Sequence, residues 1–310
     1  MGATDALRRA ADAARREDPA VTTIKKIIVA LGSPWLHGEL YEVSKRYDKP
    51  TKRTAKQVIA DVEDARDAHA AALVKASSSL KLSCVSARTV RLLENGYAVP
   101  AAVPGTLTSI RATTFAHYIS TEDRRELEEG IRRSMPGAEI ELRSIVGDVV
   151  TDVCQPDDLT DALILSVSGS VTEAVVIDDD LVEAVATIPI GYEEIVAEAK
   201  RSLPVAGDPL GFLTKYAVGE LSAREADRVS RVVDRVATEW SRTLAATLKE
   251  VGVRAVPATI VLLSSPGPAA LIRAMLERPT VTAEIFTGTK PVIKPFPHVR
   301  LLTDAVPDVF

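Results

Sequence analysis

Two adjacent β-hairpins are predicted between Asp161 and Gly191, and they constrain the fold of this 310-residue chain more than any other feature. Apolar runs of strand length that are separated by short polar turns indicate antiparallel strands. In chain order, the three runs are Ala162–Val167, Thr172–Ile177 and Leu181–Ile188. The turns are Ser168-Gly169-Ser170 and Asp178-Asp179-Asp180. A helix is expected after Gly191, because acidic residues at positions 193 and 194 would stabilise its N-terminus.

The order of these parts resembles the second phosphate-binding hairpin of the actin-like ATPases, most closely that of the FtsA/PilM branch. In this branch of bacterial cell-division and pilus-assembly actin homologues, the turn reads Asp-x-Gly-Gly-x-x-Thr. The returning strand ends in a corner similar to Pro-Leu-Gly, which here is Pro189-Ile190-Gly191. Gly169 and Thr172 match the turn pattern, whereas Ser166 replaces the acidic residue and Ser168 replaces the first glycine.

Other segments extend the resemblance from about Ile24 to the C-terminus. The strand predicted over Ile24–Leu31 runs into Ser33-Pro34-Trp35, as in the same branch, and we interpret Trp35 as a packing residue whose indole N–H is hydrogen-bonded. The resemblance places the loop Ser264–Pro268 where the actin fold holds the adenosine end of ATP, usually on a Gly-Gly pair. Only Gly267 is present here.

The resemblance implies an α/β, actin-like (ribonuclease H-like) fold with two lobes and an inserted βαββ subdomain. The first lobe would cover residues 1–160 and lack the first phosphate hairpin, with the insertion at about 36–108. The second lobe would cover residues 161–310, with a helical subdomain at about 192–250. In related proteins the insertion is a surface for self-association and for partners. The alternative for this chain is an insertion with a purely structural role.

Periodicity and breaker residues predict the remaining elements. Predicted helices cover residues 1–20, Thr54–Ala76, Thr121–Ser134, Tyr192–Leu203, Leu210–Leu221, Ser222–Val251 and Ala269–Leu276. Predicted strands cover Leu36–Tyr47, Leu80–Leu93, Thr106–Ile119, Glu139–Ile145, Ala258–Leu263, Val281–Thr287 and Val299–Thr303. We expect Lys49-Pro50 to end the first of these strands.

Composition and charge exclude several classes of function. The net charge of −5 gives no electrostatic footprint for nucleic acid, so we expect no nucleic-acid partner. The two cysteines, Cys84 and Cys154, are far apart in apolar contexts and are interpreted as reduced, buried residues. The four histidines lack the spacing of a metal site. The cations between Lys45 and Arg53 are interpreted as a solvated face, with contact to anionic lipid or a partner as the alternative.

The resemblance implies ATP and Mg²⁺ as cofactors, because actin-type ATPases hold the phosphates between two glycine-rich hairpins. The residues that would bind the nucleotide here are Ser166, Ser168, Gly169, Ser170, Thr172 and Gly267. Ser166 brings no charge to a hydrated Mg²⁺, and no first hairpin is recognisable before Ile24. We therefore expect weak or absent ATP hydrolysis, and we assign no catalytic residue and no metal ligand.

The function that the resemblance implies is that of a scaffold at the cytoplasmic face of the plasma membrane. It would recruit protein components of cell division or type IV pilus assembly and could self-associate. The segment Leu301–Phe310 is too short and too acidic for an anchor helix, so membrane contact through a partner is expected. Two alternatives stay open at this point: an active ATP-binding member of the actin, sugar-kinase and chaperone superfamily, and a nucleotide-free structural interaction protein.

Overall fold

The computed structural model describes residues 16, 24–76, 81–99, 101–153, 160–203, 207–264 and 266–295. The chain divides into two compact units, one of Met1–Leu31 with Trp35–Gly147 and the other of Gly32–Pro34 with Asp148–Phe310. The predicted helix over residues 1–20, the predicted strand Val299–Thr303 and Cys154 lie outside the described residues, apart from Arg16.

The first unit combines two parallel strands with an inserted antiparallel sheet. Its elements are β1 (Lys26–Leu31), β2 (His37–Arg53), α1 (Ala55–Ala76), β3 (Leu82–Glu94), β4 (Tyr97–Val99), β5 (Gly105–Ser120), α2 (Thr121–Ser134) and β6 (Glu139–Ser144), with α3 (Ile145–Val153) following. β1 pairs in parallel with β6. The side chain of Ser120 caps α2 by accepting a hydrogen bond from the Asp123 N–H (3.0 Å).

The insertion forms a β-α-β-β-β module whose sheet order is β2-β5-β3-β4. α1 packs on this sheet through Val58 and Val62, which are buried with Ile110 and Ala112 of β5. The helix begins with a capping box in which the Thr54 N–H donates to Gln57 Oε1 (3.0 Å) and the Gln57 N–H donates to Thr54 Oγ1 (3.3 Å). This arrangement confirms the predicted inserted βαββ fold.

A buried carboxylate joins the end of β2 to α1. Asp61 of α1 accepts hydrogen bonds from Lys45 and from the Tyr47 hydroxyl (2.5 Å), and Arg53 Nε lies 3.2 Å from Asp61 Oδ2. Burial alone would raise the pKa of Asp61, but these hydrogen bonds and the positive charges outweigh it and lower the pKa. Lys45 and Arg53 therefore belong to an ion cluster, whereas Lys49 and Lys52 are exposed.

The second unit contains a five-stranded sheet of order β11-β10-β7-β8-β9. Its elements are β7 (Ala162–Val167), β8 (Thr172–Asp178), β9 (Leu181–Ile188), α4 (Tyr192–Ser202), α5 (Pro209–Ala217), α6 (Ala223–Glu250), β10 (Thr259–Leu263), α7 (Pro266–Leu276), α8 (Pro279–Ile285) and β11 (Val292–Pro295). β7, β8 and β9 form the predicted antiparallel hairpins. β10 joins β7 in parallel, and β11 joins β10 in parallel.

The core of the second unit lies between this sheet and α6. The buried side of α6 includes Val229, Val233, Val236, Trp240, Leu244 and Leu248. These residues recur every three or four positions, and they pack against alternate residues of β7, β8 and β9. The predicted long amphipathic helix therefore has a packing role.

Four predictions require correction. β2 continues through Lys49-Pro50 to Arg53, because it is an edge strand and an irregularity between Arg46 and Thr51 accommodates the proline. The region predicted as strand Val281–Thr287 belongs largely to α8, in which Val281 and Ile285 are buried one helical turn apart and Pro279 begins the helix.

Cys84 is free but exposed. Trp35 is 52% exposed, so it is no buried packing residue.

Candidate functional site

The predicted phosphate-type turn between β7 and β8 is closed by its own hydrogen bonds. The Ser168 N–H and the Ser168 hydroxyl both donate to the Val171 carbonyl (2.9 Å each). The Val171 N–H donates back to Ser168 Oγ (3.2 Å). In the described part of the chain, the N–H groups of Gly169 and Ser170 have no acceptor, so they are the donors that this turn leaves for a ligand.

The N-terminus of α4 is bonded to the same turn. The Tyr192 N–H donates to the Ser168 carbonyl (3.1 Å), and the Glu193 N–H donates to the Gly169 carbonyl (2.8 Å). A Cβ atom on Gly191 would lie 2.3 Å from the Gly169 carbonyl oxygen, so only glycine fits at this corner. Because turn carbonyls already occupy two N–H groups at this helix end, those groups are not free to bind a phosphate.

The side chain of Glu193 lies directly against Gly169. A Cβ atom on Gly169 would be 2.6 Å from Glu193 Oε1 and 2.7 Å from its carboxylate carbon. Glu193 is exposed, and its negative charge lies beside the two free N–H donors of the turn. A phosphate approaching Gly169 would meet a like charge, which disfavours its binding.

A buried acid lies across from Ser166. Ser166 of β7 is directly opposite Glu173 of β8, so the two side chains share one face of the sheet. Glu173 is 1% exposed, and Ser33 Oγ donates a hydrogen bond to Glu173 Oε2 (2.9 Å). Our sequence analysis missed Glu173, although a single acid within the apolar run Thr172–Ile177 was a usable signal.

Thr172 connects three elements of the second unit. Its hydroxyl donates to the Ile190 carbonyl (2.7 Å) and accepts from Trp240 Nε1 (3.0 Å). Thr172 is fully buried and Trp240 is 1% exposed. The only proton of this hydroxyl is therefore used within the protein.

Gly267 lies at the same edge of the sheet as the turn. Leu263, the last residue of β10, is opposite Ser166 of the parallel strand β7, so the carboxyl ends of these strands are adjacent. α7 starts soon after, and its exposed Gly267 accepts a hydrogen bond from Thr214 Oγ1 at its carbonyl (3.3 Å). Ligands of open α/β sheets bind at such strand ends, and this is where the predicted nucleotide-binding residues converge.

The structure is similar to that of the PilM protein in a PilM-PilN type IV pilus biogenesis complex. The TM-score is 0.55 at 14% identity, and the match covers 89% of this chain and 74% of that chain. This chain has the actin-like fold. The predicted α/β class with a βαββ insertion is thereby confirmed.

Two other solved structures are less similar to this chain. The ethanolamine utilization protein EutJ from Carboxydothermus hydrogenoformans matches with a TM-score of 0.37 at 12% identity, over 59% of this chain and 76% of that one. An archaeal actin homolog matches with a TM-score of 0.30 at 10% identity, over 53% of this chain and 62% of that one. No protein-family model and no curated protein matches the sequence.

The residues of this actin-like fold fit a Mg²⁺-nucleotide poorly at the turn. Ser166 is neutral and Glu173 is buried and bonded to Ser33, so neither offers a carboxylate oxygen to a hydrated Mg²⁺. The exposed carboxylate of Glu193 lies against Gly169, where a phosphate would have to bind. Within the described ranges, no group of three or more His, Cys, Asp or Glu side chains could hold a metal ion.

Proposed function

We propose that this chain is a PilM-like scaffold that recruits other proteins and does not depend on ATP hydrolysis. The observation that carries the proposal is the contact of Glu193 with Gly169, where a carboxylate lies beside the free N–H groups of the phosphate-type turn. The neutral Ser166 supports the same conclusion, because it cannot orient a hydrated Mg²⁺ by charge.

The proposed partners are protein components of type IV pilus assembly, since the PilM to which this chain is similar is in a complex with PilN. Cell-division components and a second copy of this chain are the other partners that the FtsA/PilM resemblance implies. The proposed location is the cytoplasmic face of the plasma membrane, with membrane contact through a partner. In the described part of the chain, no helix is long and apolar enough to span a membrane.

The inserted module, β2 to β5, is the proposed contact surface. Tyr97 on β4 is 77% exposed and Val103 in the following loop is 45% exposed. Exposed aromatic side chains are enriched at protein interfaces, where they contribute much of the binding energy. Tyr97 is therefore the first side chain of this surface to test.

The test is a calorimetric titration of the purified chain with the PilN homologue of the source organism. We expect saturable binding without nucleotide, and at least about tenfold weaker binding for Tyr97→Ser. The matched control is Val218→Ser, which removes an apolar side chain that is 55% exposed in the other unit. No binding would contradict the pilus assignment, and equal affinities of the two variants would contradict the proposed surface.

An ATP-binding function is the second candidate, and one observation favours it. The free N–H groups of Gly169 and Ser170 lie at the same sheet edge as Gly267, so donors for phosphate and a glycine at the adenosine position are both present. Tight Mg²⁺-dependent binding of ATP that requires this turn would favour the second candidate over the first.

A further inference from the structure

The second unit contains a cavity of about 780 Å³ at the C-terminal end of α6, away from the turn described above. Three segments line it: the last two turns of α6, the loop Gly252–Val256 and the end of α8 with Thr287. The volume lies within the range of cavities that bind small molecules.

The rim of the cavity is positively charged. Arg242 and Lys249 are seven residues apart on α6 and therefore lie on one face of the helix, and Arg254 follows in the loop. All three are exposed, and none lies within ion-pair distance of a carboxylate in the described part of the chain. Arg254 also interacts electrostatically with Glu183 of β9. Three cations around one cavity in a chain of net charge −5 nevertheless favour an anionic ligand.

The floor of the cavity is apolar. Leu248, Val253 and Ile285 line it and are at most 9% exposed, and Ala245 and Val256 add further apolar surface. A ligand that fills this space gains from burying an apolar group of its own. The cavity therefore suits a molecule that carries both a negative charge and an apolar body.

The loop supplies uncharged donors as well. Within the described residues, the N–H groups of Arg254, Ala255 and Val256 have no acceptor. All three residues line the cavity, and free backbone N–H groups combined with cationic side chains are typical of phosphate recognition.

The C-terminal end of α6 carries the negative end of the helix dipole, which disfavours an anion. Backbone hydrogen bonds to the carbonyls of the last turn reduce this negative charge. The Val251, Gly252 and Val253 N–H groups donate to the carbonyls of Thr247, Lys249 and Leu248, at 3.0–3.1 Å. Gly252 makes this closure possible, because its φ of +94° is rarely adopted by residues with a side chain. The three rim cations therefore outweigh the remaining dipole charge.

We propose that this cavity binds a phosphate monoester with an apolar body, the phosphate contacting Arg242, Lys249 and Arg254. Glu284 is the one acid among the described residues that line the cavity, and its charge limits how much negative charge the ligand carries. Such an ester is either a free phosphorylated metabolite or the headgroup of an acidic lipid. The proposal is independent of the partner that the scaffold recruits.

The experiment is a calorimetric titration of the full chain with dihexanoyl phosphatidic acid below its micelle concentration. Dihexanoyl phosphatidylcholine is the control ligand, because it has the same apolar body without net charge. We expect saturable binding of dihexanoyl phosphatidic acid and no binding of dihexanoyl phosphatidylcholine. Arg242→Ala with Lys249→Ala should weaken it by at least about tenfold, whereas Lys215→Ala, which removes an exposed cation elsewhere in this unit, should not.

Glu284→Gln should have the opposite effect to the double variant, because removing the negative charge should strengthen binding of the acid. Circular dichroism and thermal melts establish that each variant is folded. Co-flotation with phosphatidylcholine vesicles that contain phosphatidic acid, but not with pure phosphatidylcholine vesicles, would identify the lipid as the source of the ester. Binding of the soluble acid without co-flotation would identify a free metabolite. No binding of the soluble acid, or an unchanged affinity in the double variant, would overturn the proposal.

Discussion

Trp240 of α6 donates a hydrogen bond from its indole nitrogen to the hydroxyl of Thr172 on β8, at 3.0 Å, inside the core of the second unit. The same hydroxyl donates to the Ile190 carbonyl, which lies in the corner before α4. One buried threonine therefore ties the long helix, the sheet and the corner together.

Replacing Thr172 with valine should destabilise the protein by about 1–3 kcal/mol, because the buried Trp240 N–H would lose its acceptor and the Ile190 carbonyl would lose its donor. Thr172→Ser keeps the hydroxyl and should cost less. The measurement is urea unfolding followed by tryptophan fluorescence, with Thr187→Val at an exposed position of β9 as control. Equal free energies of unfolding for the Thr172→Val variant and the control would show that this hydrogen bond contributes nothing.

The two glycines that contact each other at the turn should respond differently to alanine. A Cβ atom on Gly191 meets backbone oxygen atoms at 2.3 and 2.4 Å, which cannot move without disturbing the start of α4. A Cβ atom on Gly169 meets the end of the Glu193 side chain, which can rotate away. We expect Gly191→Ala to cost about 1–3 kcal/mol of unfolding free energy and Gly169→Ala much less. The reverse order in chemical denaturation would contradict the described geometry.

Asp61 should make the stability of the inserted module depend on pH. Its pKa is lowered from 3.8 in the folded protein, so its stabilising effect is fully present above pH 3.8 and is lost as the pH falls through the folded-state pKa. Asp61→Asn should cost about 1–3 kcal/mol at neutral pH, since it removes the charge that Lys45 and Arg53 face.

The check is the unfolding free energy of wild type and Asp61→Asn, measured from neutral to acidic pH. The difference between the two proteins should shrink below pH 3.8. Asp64→Asn, at an exposed position of the same helix, is the control and should show no such trend. A difference that stays constant with pH would exclude the charge of Asp61 as its cause.

The elements of the second unit were largely predictable because local signals and burial agree there. Thr172–Ile177 is rich in β-branched residues, and the Trp240 helix has unbroken helical spacing, so pattern and packing lead to the same answer. The strand prediction for Val281–Thr287 was wrong because the Val and Thr residues of α8 favour a strand locally. Packing of Val281 and Ile285 in the core stabilises the helix instead.

The contacts of the site were less predictable than its location. The positions of Ser168, Gly169 and Thr172 on the hairpin follow from sequence, since strand and turn patterns fix them. The approach of Glu193 to Gly169 depends on how α4 returns to the turn, which no local pattern encodes. The hydrogen bond between Ser33 and Glu173 joins residues 140 positions apart, which sequence periodicity does not detect.

Glu193 should act as the group that keeps phosphate away from the turn. In the Arg242→Ala/Lys249→Ala background, Glu193→Gln removes this charge with little change in shape, so ATP binding that is otherwise undetectable should become measurable. Glu194→Gln is the matched control, because Glu194 is the next residue and pairs with Arg201 (3.1 Å). If neither Glu193→Gln nor Glu194→Gln gained ATP binding in that background, Glu193 would not be the group that excludes phosphate.

The most direct test of the central claim is a calorimetric titration with ATP, with and without Mg²⁺, in the Arg242→Ala/Lys249→Ala background that disables the cationic cavity. We predict no saturable binding of ATP to this protein, because the turn is closed by its own hydrogen bonds and faced by Glu193. Micromolar, Mg²⁺-dependent binding would contradict this account, and the chain would then be a nucleotide-binding protein.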